Sequence, residues 1–127
     1  SLLIEINGGF NDINQCKEAL SIFDGVMIGR SAYKHPLKWS NIDEQFYGNL
    51  KTIKNASSII LNLLPYVEQH VSDGGSTWDI CKHLINLVEN VPNAKKWRTK
   101  VALASIQGSL TINRLKNYAL ELEAIEK

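Results

Sequence analysis

The stretch Ile4–Arg30 decides the fold of this chain, because it reads I-E-I-N-G-G-F over residues 4–10 and D-G-V-M-I-G-R over residues 24–30. Each of these two segments is a short apolar run followed by glycine, and an amphipathic stretch lies between them. Such a pattern is typical of two parallel strands joined by a crossover helix. We therefore predict β-strands over Leu2–Ile6 and Gly25–Ile28.

Glycines follow both predicted strands, where an anion can approach the backbone N–H groups closely. Gly29 is followed directly by Arg30, whose forked donors suit a phosphate group. In a (β/α)₈ barrel, phosphate groups commonly bind after the seventh and eighth strands. A complete barrel needs roughly 250 residues and this chain has 127. If the two strands belong to such a barrel, the barrel is truncated here, and residues 1–48 are a βαβ remnant of it.

The residues around the second strand give weaker signals. Asn11 or Asp12 is expected to cap the crossover helix, which we predict to run through Phe23. Residues 31–48 contain a proline and end in glycine, so we expect a loop-rich bridge there. A short turn of helix is expected only around Ile42–Phe46.

From residue 49 onward the apolar residues recur at helical spacing, which predicts four helices. The first, to Val71, contains Pro65, which predicts a kink or a boundary near Leu61. The second begins with a capping box of Ser76 and Asp79. The predicted bounds of the last three helices are residues 77–89, 94–106 and 112–125.

The predicted fold class is therefore mainly α, with a C-terminal four-helix bundle over residues 49–127 preceded by the βαβ remnant over residues 1–48. The net charge of +1, with 44% hydrophobic and 21% charged residues, is typical of a soluble globular protein. The longest apolar run, Ile59–Leu64, is too short to span a bilayer. No signal peptide is recognisable at the first residues, so we expect a cytoplasmic protein without membrane contact.

No catalytic or metal-binding constellation stands out. Cys16 and Cys81 lie far apart, lack neighbours at metal-ligand spacing, and fall among apolar residues, so we interpret both as small buried hydrophobic residues. His83 is interpreted as a helix-surface or partly buried histidine. We assign no catalytic residue and no metal site.

The densest basic stretch is N-A-K-K-W-R-T-K over residues 93–100. On a helix, Lys95 and Arg98 project to one side, while Trp97 and Val101 can face the interior. A basic stripe at the start of a helix is able to bind phosphates. The alternative is that the stripe is only a solvated helix face.

Several motifs resemble one known family. The segments I-E-I-N-G-G (4–9) and D-G-V-M-I-G-R-S-A-Y (24–33) look like the last two barrel strands of tRNA-dihydrouridine synthases. The segments P-Y-V-E (65–68) and K-H-L-I-N-L-V-E-N-V-P-N-A-K-K-W-R (82–98) are similar to the C-terminal helical domain of the A-type subfamily. The resemblance covers nearly the whole chain, in the right order.

The resemblance implies an oxidoreductase that reduces the C5–C6 double bond of uridines in tRNA, using FMN that is reduced by NADPH. The family's barrel binds FMN at the C-terminal ends of its strands. By residue-to-residue match, the implied cofactor-binding residues are Asn7, Gly8 and Gly9 at the flavin, and Gly29 and Arg30 at the FMN phosphate.

The resemblance also implies that tRNA is the partner of the helical domain. Lys95 and Arg98 match basic positions that face tRNA in the family, and Lys100 is a looser match. The family's P-G-A-R appears here as P-N-A-K over residues 92–95. Asparagine tolerates the left-handed conformation that glycine favours, so the turn is expected to survive.

The family's catalytic cysteine and its flavin-contacting lysine and histidine are expected upstream of this sequence, and neither Cys16 nor Cys81 matches their motif. We therefore expect the chain to be inactive by itself. Because parallel strands are normally covered on both faces, the two strands also favour self-association. Two alternatives stay open: a non-catalytic helical RNA-binding module, and a fragment of another FMN- or phosphate-binding barrel with helices that serve oligomerisation.

Overall fold

A computed structural model describes residues 2–48 and 55–126 of the chain. The chain divides between residues 53 and 54 into two compact units. The described residues are mostly helical and include one small parallel sheet, which confirms the mainly α class. The assignment of residues 1–48 to a barrel and of residues 49–127 to a tRNA-binding domain stays a prediction.

The first unit contains the predicted pair of parallel strands. β1 (Glu5–Asn7) and β2 (Gly25–Met27) pair in register, with Glu5 opposite Gly25 and Asn7 opposite Met27. The first strand begins three residues later than predicted, at Glu5 instead of Leu2. Because the strands are parallel and in register, the loops that follow them leave from the same edge of the sheet.

The crossover helix α1 (Ile13–Leu20) confirms the predicted connection. The Asp12 side chain caps it by accepting a hydrogen bond from the Gln15 amide at 2.9 Å. The helix ends three residues earlier than the predicted Phe23. The chain must turn there, because the amide and carboxylate of Asp24 both bond to the backbone of Ile4 at the start of the sheet.

The prediction of a loop-rich bridge was wrong. Residues 30–47 form helix α2 (Arg30–Lys34), a 3-10 turn (Pro36–Trp39) and helix α3 (Ile42–Tyr47), and only the last was expected. Pro36 starts the 3-10 turn, where its missing N–H costs nothing. Gly48, at φ +68°, ends α3 in the left-handed conformation.

In the described part of the second unit there are four helices and a 3-10 turn. The helices are α4 (Ala56–Ser72), α5 (Thr77–Leu84), α6 (Ala94–Ile106) and α7 (Ile112–Glu126), and the 3-10 turn, Ile85–Leu87, follows α5. The bounds of α6 are those predicted, whereas α5 tightens into the 3-10 turn before the predicted end at Glu89. The beginning of the first predicted helix, residues 49–54, lies outside the described residues. None of the described helices is both long enough and apolar enough to cross a bilayer.

Helix α4 continues through Pro65, so a helix boundary at this proline is wrong, and the kink near Leu61 stays a prediction. A capping box of Asn55 and Ser58 starts the helix. The Glu126 carboxylate, at the end of α7, accepts a hydrogen bond from the Ser57 amide at 3.0 Å. The two ends of the described segment are therefore joined by a charge at a helix N-terminus.

The core of the second unit lies mainly between α4 and α7, with α6 against α7. Trp97 of α6 is buried and donates its indole N–H to the Tyr118 carbonyl at 2.9 Å. Burial of each large apolar side chain stabilises the fold by roughly 1.5–3 kcal/mol. The fully buried large residues of this unit are Ile60, Val67, Val88, Val101, Leu115 and Leu122.

The junction between α4 and α5 contains the predicted capping box. Ser76 and Asp79 exchange hydrogen bonds of 2.8 and 3.2 Å, and the His70 ring nitrogen Nε2 lies 2.9 Å from the same Asp79 carboxylate. The Ser76 backbone N–H, followed by His70, lowers the pKa of Asp79 from 3.8 to about 2. The charged carboxylate therefore stabilises the folded state.

We expect Asp79→Asn to lower the thermal unfolding temperature at pH 5. The pKa of Asp79 is lowered on folding, so its contribution is complete above pH 3.8 and is lost as the pH falls towards 2. The difference between wild type and variant should therefore shrink between pH 4 and pH 2, as followed by circular dichroism. Glu68→Gln, at an exposed position of α4, is the charge-matched control. A difference that stays constant across this pH range would contradict the assignment.

Candidate phosphate-binding cleft and basic helix

A cleft of about 660 Å³ opens at the edge of the sheet where both strands end. It is lined by the loop after β1, by the end of β2 and by α2 with the following 3-10 turn. All of the cofactor-binding residues predicted from the sequence line this cleft: Asn7, Gly8, Gly9, Gly29 and Arg30. The parallel pairing thus brings together residues that lie about twenty positions apart.

Two of these glycines are required by the backbone. Gly8 (φ +135°) and Gly9 (φ +70°) adopt conformations that side chains disfavour. A Cβ atom added at Gly8, Gly9 or Gly29 would meet no atom within 4 Å. The space above these residues is therefore open to a ligand that approaches the backbone closely.

The cleft is strongly basic. Arg30, Lys34 and Lys38 line it together with His35, and all of them are exposed. None of the described residues that line the cleft is acidic. Positive charge from Arg30, Lys34 and Lys38 in a cleft concentrates counter-ions there, so the ligand that fits best is an anion.

The backbone beneath these cations is held in place by a polar chain. The Trp39 indole N–H donates to the Ser31 hydroxyl at 3.1 Å, and that hydroxyl lies 3.5 Å from the Asn11 carbonyl. Trp39 itself is 6% exposed, so α2 and the 3-10 turn share a packed base. Lys34 and Lys38 were not predicted as site residues, although Arg30, Lys34 and Lys38 follow one another at intervals of four residues, which is a helical signal.

The two cysteines are buried, as predicted. Burial raises the pKa of the Cys16 thiol, with the charge of Asp12 as a smaller cause. Burial also raises the pKa of the Cys81 thiol to about 12. A buried thiol with a raised pKa is inert, as is typical of structural cysteines.

The basic helix α6 begins after Asn93, which adopts the left-handed conformation at φ +61° as its replacement of glycine suggested. Trp97 and Val101 face the interior of the unit, as predicted. Lys95 is exposed and forms no hydrogen bond or ion pair with the residues that the structure describes.

The other two predicted tRNA-binding cations have acceptors within the unit. Arg98 is partly buried, and its Nη1 donates to the Val88 carbonyl. The Lys100 ammonium pairs with Glu121 and lies 5.2 Å from the centre of the Tyr118 ring. These contacts tie α6 to the segment before it and to α7, and an RNA phosphate would compete with them.

The first unit is thus a parallel β-α-β unit with a basic, glycine-lined cleft at its strand ends, an arrangement typical of phosphate-binding proteins. A family model narrows that class: residues 1–123 match the model described as dihydrouridine synthase (Dus). The chain therefore belongs to the dihydrouridine synthase family. The alternative of a different phosphate-binding barrel is thereby excluded.

Curated relatives agree with this membership. The chain is similar to tRNA-dihydrouridine(20/20a) synthases of Vibrio vulnificus (strain CMCP6), at 36% identity over 101 residues covering 80% of this chain and 31% of the relative. For the Pseudomonas aeruginosa relative the identity is 32% over 123 residues, covering 97% and 37%. For that of Synechocystis it is 36% over 108 residues, covering 85% and 32%. The resemblance to A-type tRNA-dihydrouridine synthases is confirmed, and the chain spans about a third of the length of these relatives.

We expect Arg98→Ala to destabilise the second unit, because it removes the partner of the carbonyl of Val88, which is 1% exposed. A lost hydrogen bond to a charged group costs roughly 1.5–3 kcal/mol. Urea unfolding measures this loss, and Arg98→Lys should recover part of it. Lys95→Ala is the matched control and should stay within about 0.5 kcal/mol of wild type. Equal stabilities of the two alanine variants would show that Arg98 has no anchoring role.

Proposed function

We propose that this chain is the C-terminal part of an FMN-dependent tRNA-dihydrouridine synthase that reduces uridine to dihydrouridine in tRNA, with NADPH as the reductant. Family membership supports an oxidoreductase that acts on tRNA. The observation that carries the cofactor assignment is the cleft itself, where Gly8, Gly9, Gly29 and Arg30 line one basic space. The proposal also includes a cytoplasmic location for the protein, together with its tRNA substrate.

The cleft residues fit the phosphate end of FMN. Arg30 presents forked donors to phosphate oxygens, and the open space at Gly8 and Gly29 lets the ligand approach the backbone. Asn7 offers an amide at the end of β1, and the proposal assigns it to the flavin. If bound there, reduced FMN would supply the hydride for the uracil ring. This chain's own part is to hold and orient the cofactor.

We expect FMN to bind more tightly than riboflavin, which lacks the phosphate. Arg30→Ala should remove most of this preference, by about tenfold or more, because a charge-assisted contact is worth roughly 1.5–3 kcal/mol. Quenching of flavin fluorescence measures both affinities. Arg114→Ala, an exposed arginine of α7, is the matched control. Equal binding of the two flavins to the wild type, or no binding of either, would contradict a phosphate site at Arg30.

The helical unit is proposed to bind tRNA through the start of α6. Lys95 supports this proposal best, because it is exposed and has no described intramolecular partner. Contacts of Arg98 and Lys100 with tRNA are part of the proposal, but an RNA phosphate would compete there with the Val88 carbonyl and with Glu121.

We expect tRNA binding to weaken with salt, because phosphate contacts release counter-ions. Lys95→Ala should reduce the slope of log affinity against log salt by roughly 0.7–0.9, the value of one contact. Fluorescence anisotropy with labelled tRNA at several salt concentrations gives this slope. Lys116→Ala removes an exposed lysine of α7 and should change it less. Equal slope changes in both variants would contradict the proposal and show that the basic stripe of α6 is only a solvated helix face.

The burial of both cysteines bears on the source of the proton and on a second candidate function. The proton that completes uridine reduction is proposed to come from a residue outside this sequence, because Cys16 and Cys81 are inaccessible. The same observation supports, as the second candidate, a non-catalytic RNA-binding module. Binding of tRNA without any binding of FMN would favour that second candidate.

The small sheet of the first unit and the residues just before it leave apolar side chains exposed. Leu2 and Leu3 are each 86% exposed, and Met27 of β2 is 57% exposed. Because parallel sheets are normally buried on both faces, we propose that further strands of a (β/α)₈ barrel cover these residues. Self-association of the chain through the same residues is the alternative.

A further inference from the structure

We infer that Lys34 and Lys38 form a second phosphate subsite in the cleft, beside Arg30, and that this subsite binds a backbone phosphodiester of the RNA. The inference rests on the proposed function and deepens it. It names two residues of the first unit that contact RNA, whereas the tRNA-binding residues predicted from the sequence all lie in the helical unit.

The positions of the two lysines carry the inference. Lys34 ends α2, one helical turn after Arg30, and Lys38 lies in the 3-10 turn that follows. Both line the same cleft as the glycines and Arg30. Their backbone rests on Trp39, which is buried and bonded to the Ser31 hydroxyl at 3.1 Å. The lysines are therefore exposed side chains on a packed base, within the same cleft as Arg30.

The charge of the cleft exceeds what the cofactor neutralises. A phosphate monoester carries about −1.5 to −2 at neutral pH. Arg30, Lys34 and Lys38 supply three positive charges, and none of the described residues lining the cleft is acidic. None of these three cations has a hydrogen bond or ion pair within the described residues, whereas Lys17 of α1 bonds to Gln45 at 2.5 Å. About one positive charge is left for a second anion.

The chemistry of lysine favours an RNA backbone as that second anion. Lysine is a flexible point charge that meets single phosphates without a fixed geometry, whereas arginine makes the directional, forked contact. Contacts between lysines and backbone phosphates position a nucleic acid without reading its sequence. The exposed side chains of Lys34 and Lys38 can reach a strand that passes over the cleft while Arg30 holds the cofactor.

The test combines two measurements on the full chain with saturating FMN. The double variant Lys34→Ala/Lys38→Ala should lower the salt slope of tRNA binding by roughly 0.7–0.9 for each lysine. It should leave the preference for FMN over riboflavin unchanged, because Arg30 is intact. Lys17→Ala removes an equal charge outside the cleft and should have a smaller effect on the slope. Lys34→Arg/Lys38→Arg keeps both charges and should retain the wild-type slope.

The possible failures are distinguishable. An unchanged slope in the alanine double variant, together with a lowered slope in Lys95→Ala, overturns this inference and leaves the proposed function in place. Loss of the preference for FMN in the double variant shows that the lysines hold the cofactor phosphate instead, which also overturns it. Absence of any tRNA binding by the wild type overturns both this inference and the tRNA part of the proposed function. Circular dichroism of each variant confirms that it is folded.

Discussion

The parallel, in-register pairing of β1 with β2 is the constraint on which the candidate cofactor site depends. Asn7 pairs with Met27, so the glycine pair after the first strand and the Gly-Arg pair after the second leave the sheet at one edge. The connection that permits this pairing is α1, since parallel strands need a crossover. Asp24 closes it by bonding twice to the backbone of Ile4. If the register slipped by one residue, the two loops would no longer face one ligand.

Signals that are local in sequence predicted the elements well. The caps at Asp12 and Ser76 and the breaks around α6 are decided by contacts between residues a few positions apart, which spacing alone reveals. The bridge after β2 was missed for the opposite reason. Its helices have only five and six residues, too short to be stable alone, and they depend on burial of Trp39 and its bond to Ser31. Such tertiary support leaves no periodic pattern to read.

The candidate sites also differ in how far the sequence could predict them. The glycine and arginine positions of the cleft could be predicted, because the strand ends fix them through backbone geometry alone. The hydrogen-bond and ion-pair partners of the basic residues on α6 could not be predicted, because those partners are distant in sequence. Arg98 bonds to a carbonyl ten residues away, and Lys100 pairs with a carboxylate 21 residues away. Helical spacing shows which side a cation projects from, but not which acceptor it finds there.

This difference in partners bears on the proposed binding of tRNA by residues of both units. The whole chain has a net charge of only +1, so its overall electrostatic field cannot attract RNA strongly. Attraction of RNA therefore depends on local excesses of positive charge. In the helical unit, two of the three predicted cations already have internal acceptors, and a phosphate gains only the difference between the two contacts. In the cleft, the lysines have no such competitor among the described residues. Per residue, the cleft can therefore contribute more to a salt-dependent contact than the denser basic stretch of α6.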